Sequence, residues 1–149
     1  MNTLIDTVLL ITKAHKHQTY DNYPYTYHLL KVAEKAHELA YDFVLDNPCV
    51  LEACLLHDIL EETLYTRKNL ENLGYSKETL DIVDLVTKDT NLSYEENITR
   101  IIDSNNVNAA FVKYCDNLVN LEHGKLMSAK LNNIWAKSAE RLREKYAFS

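Results

Sequence analysis

The chain has 149 residues, 46% hydrophobic and 26% charged, enough for one folded domain that buries roughly two-thirds of the surface its unfolded chain exposes. Its two glycines, Gly74 and Gly124, exclude the P-loop and the dinucleotide fingerprint, which both need several glycines to bring backbone N–H groups against phosphate. A net charge of −6 argues against a general DNA or RNA binder.

Met1 to Thr7 has no basic region ahead of its apolar residues, and charges interrupt every later apolar stretch well short of the ~20 residues of a membrane span. The expectation is a soluble cytoplasmic protein without membrane or nucleic-acid partners. Cys49, Cys54 and Cys115 sit among apolar neighbours and form no C-x-x-C pair. They read as buried thiols rather than a disulfide or zinc framework.

Long 3.6-residue patterns and few turn residues predict an all-α, single-domain bundle of about seven to eight helices over residues 1–149. The first helix is expected from about Thr3 to His17, with Leu4, Val8, Ile11 and Ala14 or His15 on one face. The stretch ending at Pro24 breaks it. Pro24 and Pro48 suit first turns, opening helices from about Tyr25 to Leu45 and about Pro48 to Glu62. Thr66 reads as an N-cap and Gly74 as a C′ residue, and Ser76 begins a fifth helix carrying Leu80, Val83 and Val86. Ser93 with Glu96 forms a capping box ahead of Ile98, Ile101 and Ile102. Helices over Asn108 to Leu121 and about Met127 to Tyr146 close the chain.

Two acids interrupt apolar helices. Asp58 follows Val50-Leu51-Glu52-Ala53-Cys54-Leu55-Leu56-His57, and Asp116 lies within Phe111 to Leu121. A buried ionised carboxylate costs several kcal/mol unless a cation or a hydrogen-bond network compensates it, so two of them in separate helices suggest one shared cation. On a continuous helix Glu61 and Glu62 follow Asp58 at i+3 and i+4, and His57 and Glu61 are i, i+4 neighbours. His28, between Tyr27 and Leu29, is a further candidate ligand from another helix. Two imidazoles and two carboxylates suit a borderline divalent metal such as manganese or iron and leave positions open for water and substrate.

These residues resemble the HD-domain superfamily of metal-dependent phosphohydrolases, in particular the hydrolase domain of the RelA/SpoT type and the stand-alone small alarmone hydrolases. The resemblance runs from Ala14-His15-Lys16-His17-Gln18-Thr19-Tyr20 through Pro24 to His28, is sharpest at Leu55 to Thr63, and continues through Leu85-Val86-Thr87 to Val112 to Leu121. It implies that His28, His57, Asp58 and Asp116 hold one metal ion, usually Mn2+. It makes Glu61 and Glu62 the acidic pair beside the metal-bound water, Asn120 a nucleotide contact and Lys113 a basic position beside the metal helix. The implied reaction removes the 3′-pyrophosphate from guanosine 3′,5′-bis(diphosphate), ppGpp. This chain has Thr19-Tyr20-Asp21-Asn22 where the family usually carries an Arg-Lys pair, and Glu62 where its second acid is commonly Asp. These departures bear on recognition of the guanosine polyphosphate and leave open a different substrate or a weak activity. With no synthetase domain, synthesis of the alarmone is not expected.

Chemistry supports these roles separately: a divalent cation polarises a phosphoryl oxygen and lowers the pKa of a bound water, and Glu61 is placed to orient that water or take its proton. Lys13, Lys16 and Gln18 are near enough in sequence to face substrate, and Tyr25 and Tyr27 flank His28 and can line a pocket. His15 and His17 point to different sides of a helix, one partly buried and one exposed. His37 and His123 read as structural or solvated. Lys125, Lys130, Lys137, Arg141, Arg143 and Lys145 give the last helix a basic face, solvated or gripping phosphate. Three functions follow: a manganese-dependent hydrolase of ppGpp, an HD-type phosphohydrolase of another nucleotide, or a non-catalytic module that binds a nucleotide or a partner protein. A homo-oligomer stays open.

Overall fold

Four helices begin where a hydroxyl side chain precedes an apolar run. Thr3, Thr66, Ser76 and Ser93 each accept the backbone N–H three residues on, and Asp6, Asn69 and Glu96 return the bond in full capping boxes. The computed structural model describes residues 2–123 and 129–148. Gly124, Lys125 and the expected helix start at Met127 lie outside the described residues.

The described residues form ten helices and one short hairpin. In chain order these are α1 Leu4–Ala14, β1 Thr19–Tyr20, β2 Tyr23–Pro24, α2 Tyr25–Leu39, α3 Tyr41–Asp46, α4 Pro48–Leu56, α5 Ile59–Glu62, α6 Arg67–Asn72, α7 Lys77–Val86, α8 Tyr94–Asp103, α9 Val107–His123 and α10 Ala129–Tyr146. The all-α class holds. The count exceeds about seven to eight because two expected helices are each cut in two. Ala40, at φ −147° and ψ 54°, separates α2 from α3, and His57-Asp58 separates α4 from α5, with Asp58 at φ −104° and ψ 2°. Neither break has a proline or glycine to announce it.

The first helix is shorter than expected, and of the expected face Ile11 and His15 are buried but Leu4 is not. Thr7 and Ile11 are buried on it, while Leu4 is 52% exposed and Leu9 63%. Thr7 tolerates burial because its hydroxyl is 2.8 Å from the Tyr75 hydroxyl. The stretch read only as a break is an antiparallel hairpin that pairs Tyr20 with Tyr23. Asp21 turns it at φ 52°, a left-handed conformation that Asp tolerates. Pro24 ends the hairpin and is the N-cap of α2 instead of lying within its first turn, whereas Pro48 does occupy the first turn of α4.

The core forms where α2, α4, α7 and α9 pack together. α4 is apolar on most sides and buries Val50, Ala53, Cys54, Leu55 and Leu56, each large side chain contributing about 1.5–3 kcal/mol. No described helix is long and apolar enough to cross a membrane.

Gly74 follows α6 with φ +96°, as its sequence position implies, and a Cβ there would lie 3.5 Å from Asn2 Nδ2. The space is adequate but the backbone is not, so Gly74→Ala should cost about 1–2 kcal/mol. Urea unfolding checks this: an unchanged midpoint would show that the left-handed turn is not strained.

Candidate metal centre

His28 lies in the first turn of α2, Asp116 in the middle of α9, and His57-Asp58 in the turn that ends α4. That turn decides the geometry. Neighbouring residues on a continuous helix diverge by about 100°, yet Asp58 Oδ2 is 3.1 Å from His57 Nε2. The helix break aims both side chains at one point, so the expected edge running from His57 and Asp58 to Glu61 and Glu62 on a single helix does not exist. One potential ligand atom from each of His28, His57 and Asp58 lies within 4.8 Å of the others. Asp116 Oδ1 joins them, 2.9 Å from His28 Nε2 and 3.4 Å from His57 Nε2. Both imidazoles and Asp116 are buried, while Asp58 is half-buried.

The donor set can be tested against a metal through the orientation of His57. Its Nδ1 donates to the Cys54 carbonyl at 2.6 Å, which fixes the tautomer. Nε2 then points a lone pair at Asp58 and Asp116, and this buried atom makes no well-formed hydrogen bond. A lone pair facing two anions needs a proton or a cation between them. In the metal-free protein burial pulls His57 down, but the charges of Asp58 and Asp116 outweigh it and hold the imidazole well above 6.5. Burial likewise raises Asp58, and the His57 imidazole overrides it, leaving Asp58 at about 2. Burial of Asp116 is overridden by Lys113 and His57, and its carboxyl falls well below the usual range. Two nitrogens and two carboxylates turned toward one point are the donors that a borderline divalent ion takes, and the residues fit such an ion.

The surrounding side chains hold these four. The Tyr25 hydroxyl donates to Asp58 Oδ2 at 2.6 Å. Lys113 Nζ donates to Asp116 Oδ2 at 3.2 Å, with its ammonium 5.2 Å from the Tyr94 ring centre. Asn120 Nδ2 donates to Asp116 Oδ1 at 3.3 Å. Tyr25, Lys113 and Asn120, expected to face substrate, are therefore engaged with the acids of the centre. Gln18 is also a bridge: its Oε1 is 2.6 Å from His15 Nδ1 and its amide donates to the Glu62 carbonyl. Lys13 is not brought to the centre. It is exposed and lines a separate hollow with Leu64, Tyr65 and Leu73.

Glu61 and Glu62 are exposed on the short α5. Glu61 Oε1 accepts the Lys88 N–H at 2.9 Å and shares a hollow of about 60 Å³ with Tyr94 and Lys113. Partial burial, followed by the charges of Asp58 and Glu61, raises the Glu62 carboxyl above its ordinary value. His15 is buried and stacks on Tyr25, while His17 is exposed, as their spacing implies. His37 meets the Tyr41 ring edge-on, and His123 pairs with Asp21 of the hairpin turn. Cys54 and Cys115 are buried and Cys49 is half-buried, all three free.

The basic face of α10 does not reach the centre. Arg141 donates to the Glu95 carbonyl and to Thr99, and Arg143 pairs with Glu140. Lys137 and Arg141 line a groove of about 810 Å³ between α8 and α10 that contains none of the four candidate ligands. One residue at the centre escaped sequence reading: the Tyr20 ring stacks on His28 at 4.4 Å and its hydroxyl donates to Asn120 Oδ1 at 2.7 Å. No periodicity marks a residue in a two-residue strand.

The sequence model of the HD domain family matches residues 25–143. No curated protein matches the sequence. Among solved structures, one described as a metazoan ortholog of SpoT that hydrolyzes ppGpp and plays a role in starvation responses superposes with a TM-score of 0.76. It is 22% identical, and the match covers 99% of this chain and 90% of that one.

Metal binding should be visible as stability. At a hundredfold excess over Kd, Mn2+ adds about 2.7 kcal/mol, or roughly 5–10 °C in Tm for a chain of this length. The gain should be larger at pH 8 than at pH 6. Protonated His57 stabilises the metal-free fold fully below 6.5 and ceases to do so as pH rises through its raised folded value, while the metal requires that proton to leave. Asp116→Asn should abolish the shift. Thermal melts with and without Mn2+ decide it, and equal shifts in wild type and variant would remove Asp116 from the site.

Proposed function

Because the chain belongs to the HD domain family, we propose that it is a metal-dependent phosphohydrolase, a single domain over residues 1–149, whose first-choice substrate is ppGpp. The reading rests on the convergence of His28, His57, Asp58 and Asp116 around a lone pair that faces two carboxylates. The solved structure that shares its fold is described as one that hydrolyzes ppGpp.

In this reading those four residues hold Mn2+. When bound, the ion supplies positive charge to a phosphoryl oxygen and acidity to a water. The chain's own groups do the rest. Glu62 takes the proton of the attacking water on its carboxylate, a task suited to an acid raised above its ordinary value by burial and by Asp58. Glu61, tethered to the Lys88 N–H, orients the water. Tyr25 and Lys113 keep Asp58 and Asp116 ionised and fixed. Water adds across the bond between phosphorus and the ribose 3′ oxygen. The products are pyrophosphate and a free 3′ hydroxyl, with the proton removed from water balanced by the one the leaving oxygen gains.

A second substrate is favoured by one observation: the hairpin carries Thr19 and Tyr20, and the nearby Lys113 is already bonded to Asp116. A hairpin without the paired cations that would meet a second pyrophosphate suits a nucleotide with fewer phosphates.

The Mn2+-loaded protein should release pyrophosphate from ppGpp. Glu62→Gln should lower kcat about a hundredfold or more while the Mn2+ shift in Tm persists. Because the base must be ionised, activity should fall on the acid side as pH drops through the raised Glu62 value, and the variant should lose that limb. Orthophosphate from a mononucleotide with no turnover of ppGpp selects the second substrate. Nucleotide binding without turnover of either would make the domain a binding module.

A further inference from the structure

The hairpin that sequence periodicity missed is fastened to α2 and α9, the helices that carry His28 and Asp116. Its Gln18 carbonyl accepts the Tyr25 N–H at 3.1 Å, and Tyr23 stacks on Tyr27 at 4.2 Å, tying it to α2. Asp21 pairs with His123 at the end of α9, and the His123 ring lies 4.6 Å from Tyr20. Tyr20 is thereby held from two directions.

From that position it reaches two of the candidate ligands. Its ring lies against His28 at 4.4 Å with 28° between the planes, which restricts rotation of the imidazole. Its hydroxyl donates to Asn120 Oδ1, leaving the Asn120 amide nitrogen to donate to Asp116 Oδ1. The chain His28, Tyr20, Asn120, Asp116 closes on itself, because His28 Nε2 and Asp116 Oδ1 are 2.9 Å apart. A tyrosine that merely filled space would need neither the stacking partner nor the hydroxyl acceptor, and phenylalanine would serve.

We propose that Tyr20 is a positioning residue of the metal centre, bracing His28 through its ring and Asp116 through Asn120. The proposal rests on the reading of His28 and Asp116 as metal ligands. Outer partners that orient ligands commonly set metal affinity by ten- to a hundredfold. Tyr20 does so from the hairpin, outside the helical frame.

Calorimetric titration of the full chain with Mn2+ alone tests this. Tyr20→Phe keeps the ring and loses the hydroxyl, and should bind Mn2+ about tenfold more weakly. Asn120→Ala should lose a similar factor, and the double variant should be little worse than either single one, because the two act in series. Tyr20→Leu should approach a hundredfold loss. Metal-free Tyr20→Phe should melt within a few degrees of wild type. Affinity of Tyr20→Phe within twofold of wild type, or strictly additive losses in the double variant, overturns the bracing role and leaves the metal reading intact. Wild-type protein that binds no Mn2+ overturns both.

Discussion

Two carboxylates, Asp58 and Asp116, face the same pair of buried imidazoles from different helices, and much of the fold around them follows from keeping those charges compensated. Ionised acids out of water cost several kcal/mol each unless paired and hydrogen-bonded. The chain meets that demand with an ammonium, a phenol, an amide and an imidazole in place of solvent. The demand also explains why so apolar a helix as α4 stops at Leu56. Carried on, it would swing Asp58 about 100° away from His57. The turn exchanges a few helical hydrogen bonds for convergence of both side chains on one point.

The parts of this arrangement that were legible in sequence are those whose signal is local or chemically improbable. Hydroxyl caps at Thr66, Ser76 and Ser93 and the left-handed Gly74 lie where expected, because capping and backbone sterics depend on a few adjacent residues. Asp58 and Asp116 were conspicuous because charged residues rarely sit in apolar helices. The breaks at Ala40 and His57-Asp58 carry no such signal, since neither has a proline or glycine to mark it. With the helix broken at His57-Asp58, the i, i+4 spacing of His57 and Glu61 no longer sets them on one continuous edge.

Side-chain roles were less legible than side-chain locations. The resemblance implies a place near the chemistry for Lys113 and Asn120, and closeness in sequence does so for Tyr25 and Gln18, but neither says which way a polar atom turns. In the folded chain the first three bond to the acids of the centre and Gln18 bridges His15 to the α5 backbone. Lys13 illustrates the opposite failure. Its closeness in sequence to Gln18 suggested a shared pocket, but α1 ends at Ala14 and leaves Lys13 facing the Leu64 and Leu73 side.

The same commitments constrain what the centre can receive. Asp58, Asp116, Glu61 and Glu62 formally bring four negative charges, and Lys113 returns one positive charge. That excess repels a phosphate ester, and a bound dication offsets two of its three charges, so the approach of an anionic substrate would depend on the metal. The carboxylates that attract the ion are also those that raise Glu62, because the charge of Asp58 adds to partial burial in favouring its neutral form. A base in that position gains proton affinity at the cost of being ionised over a narrower range of pH.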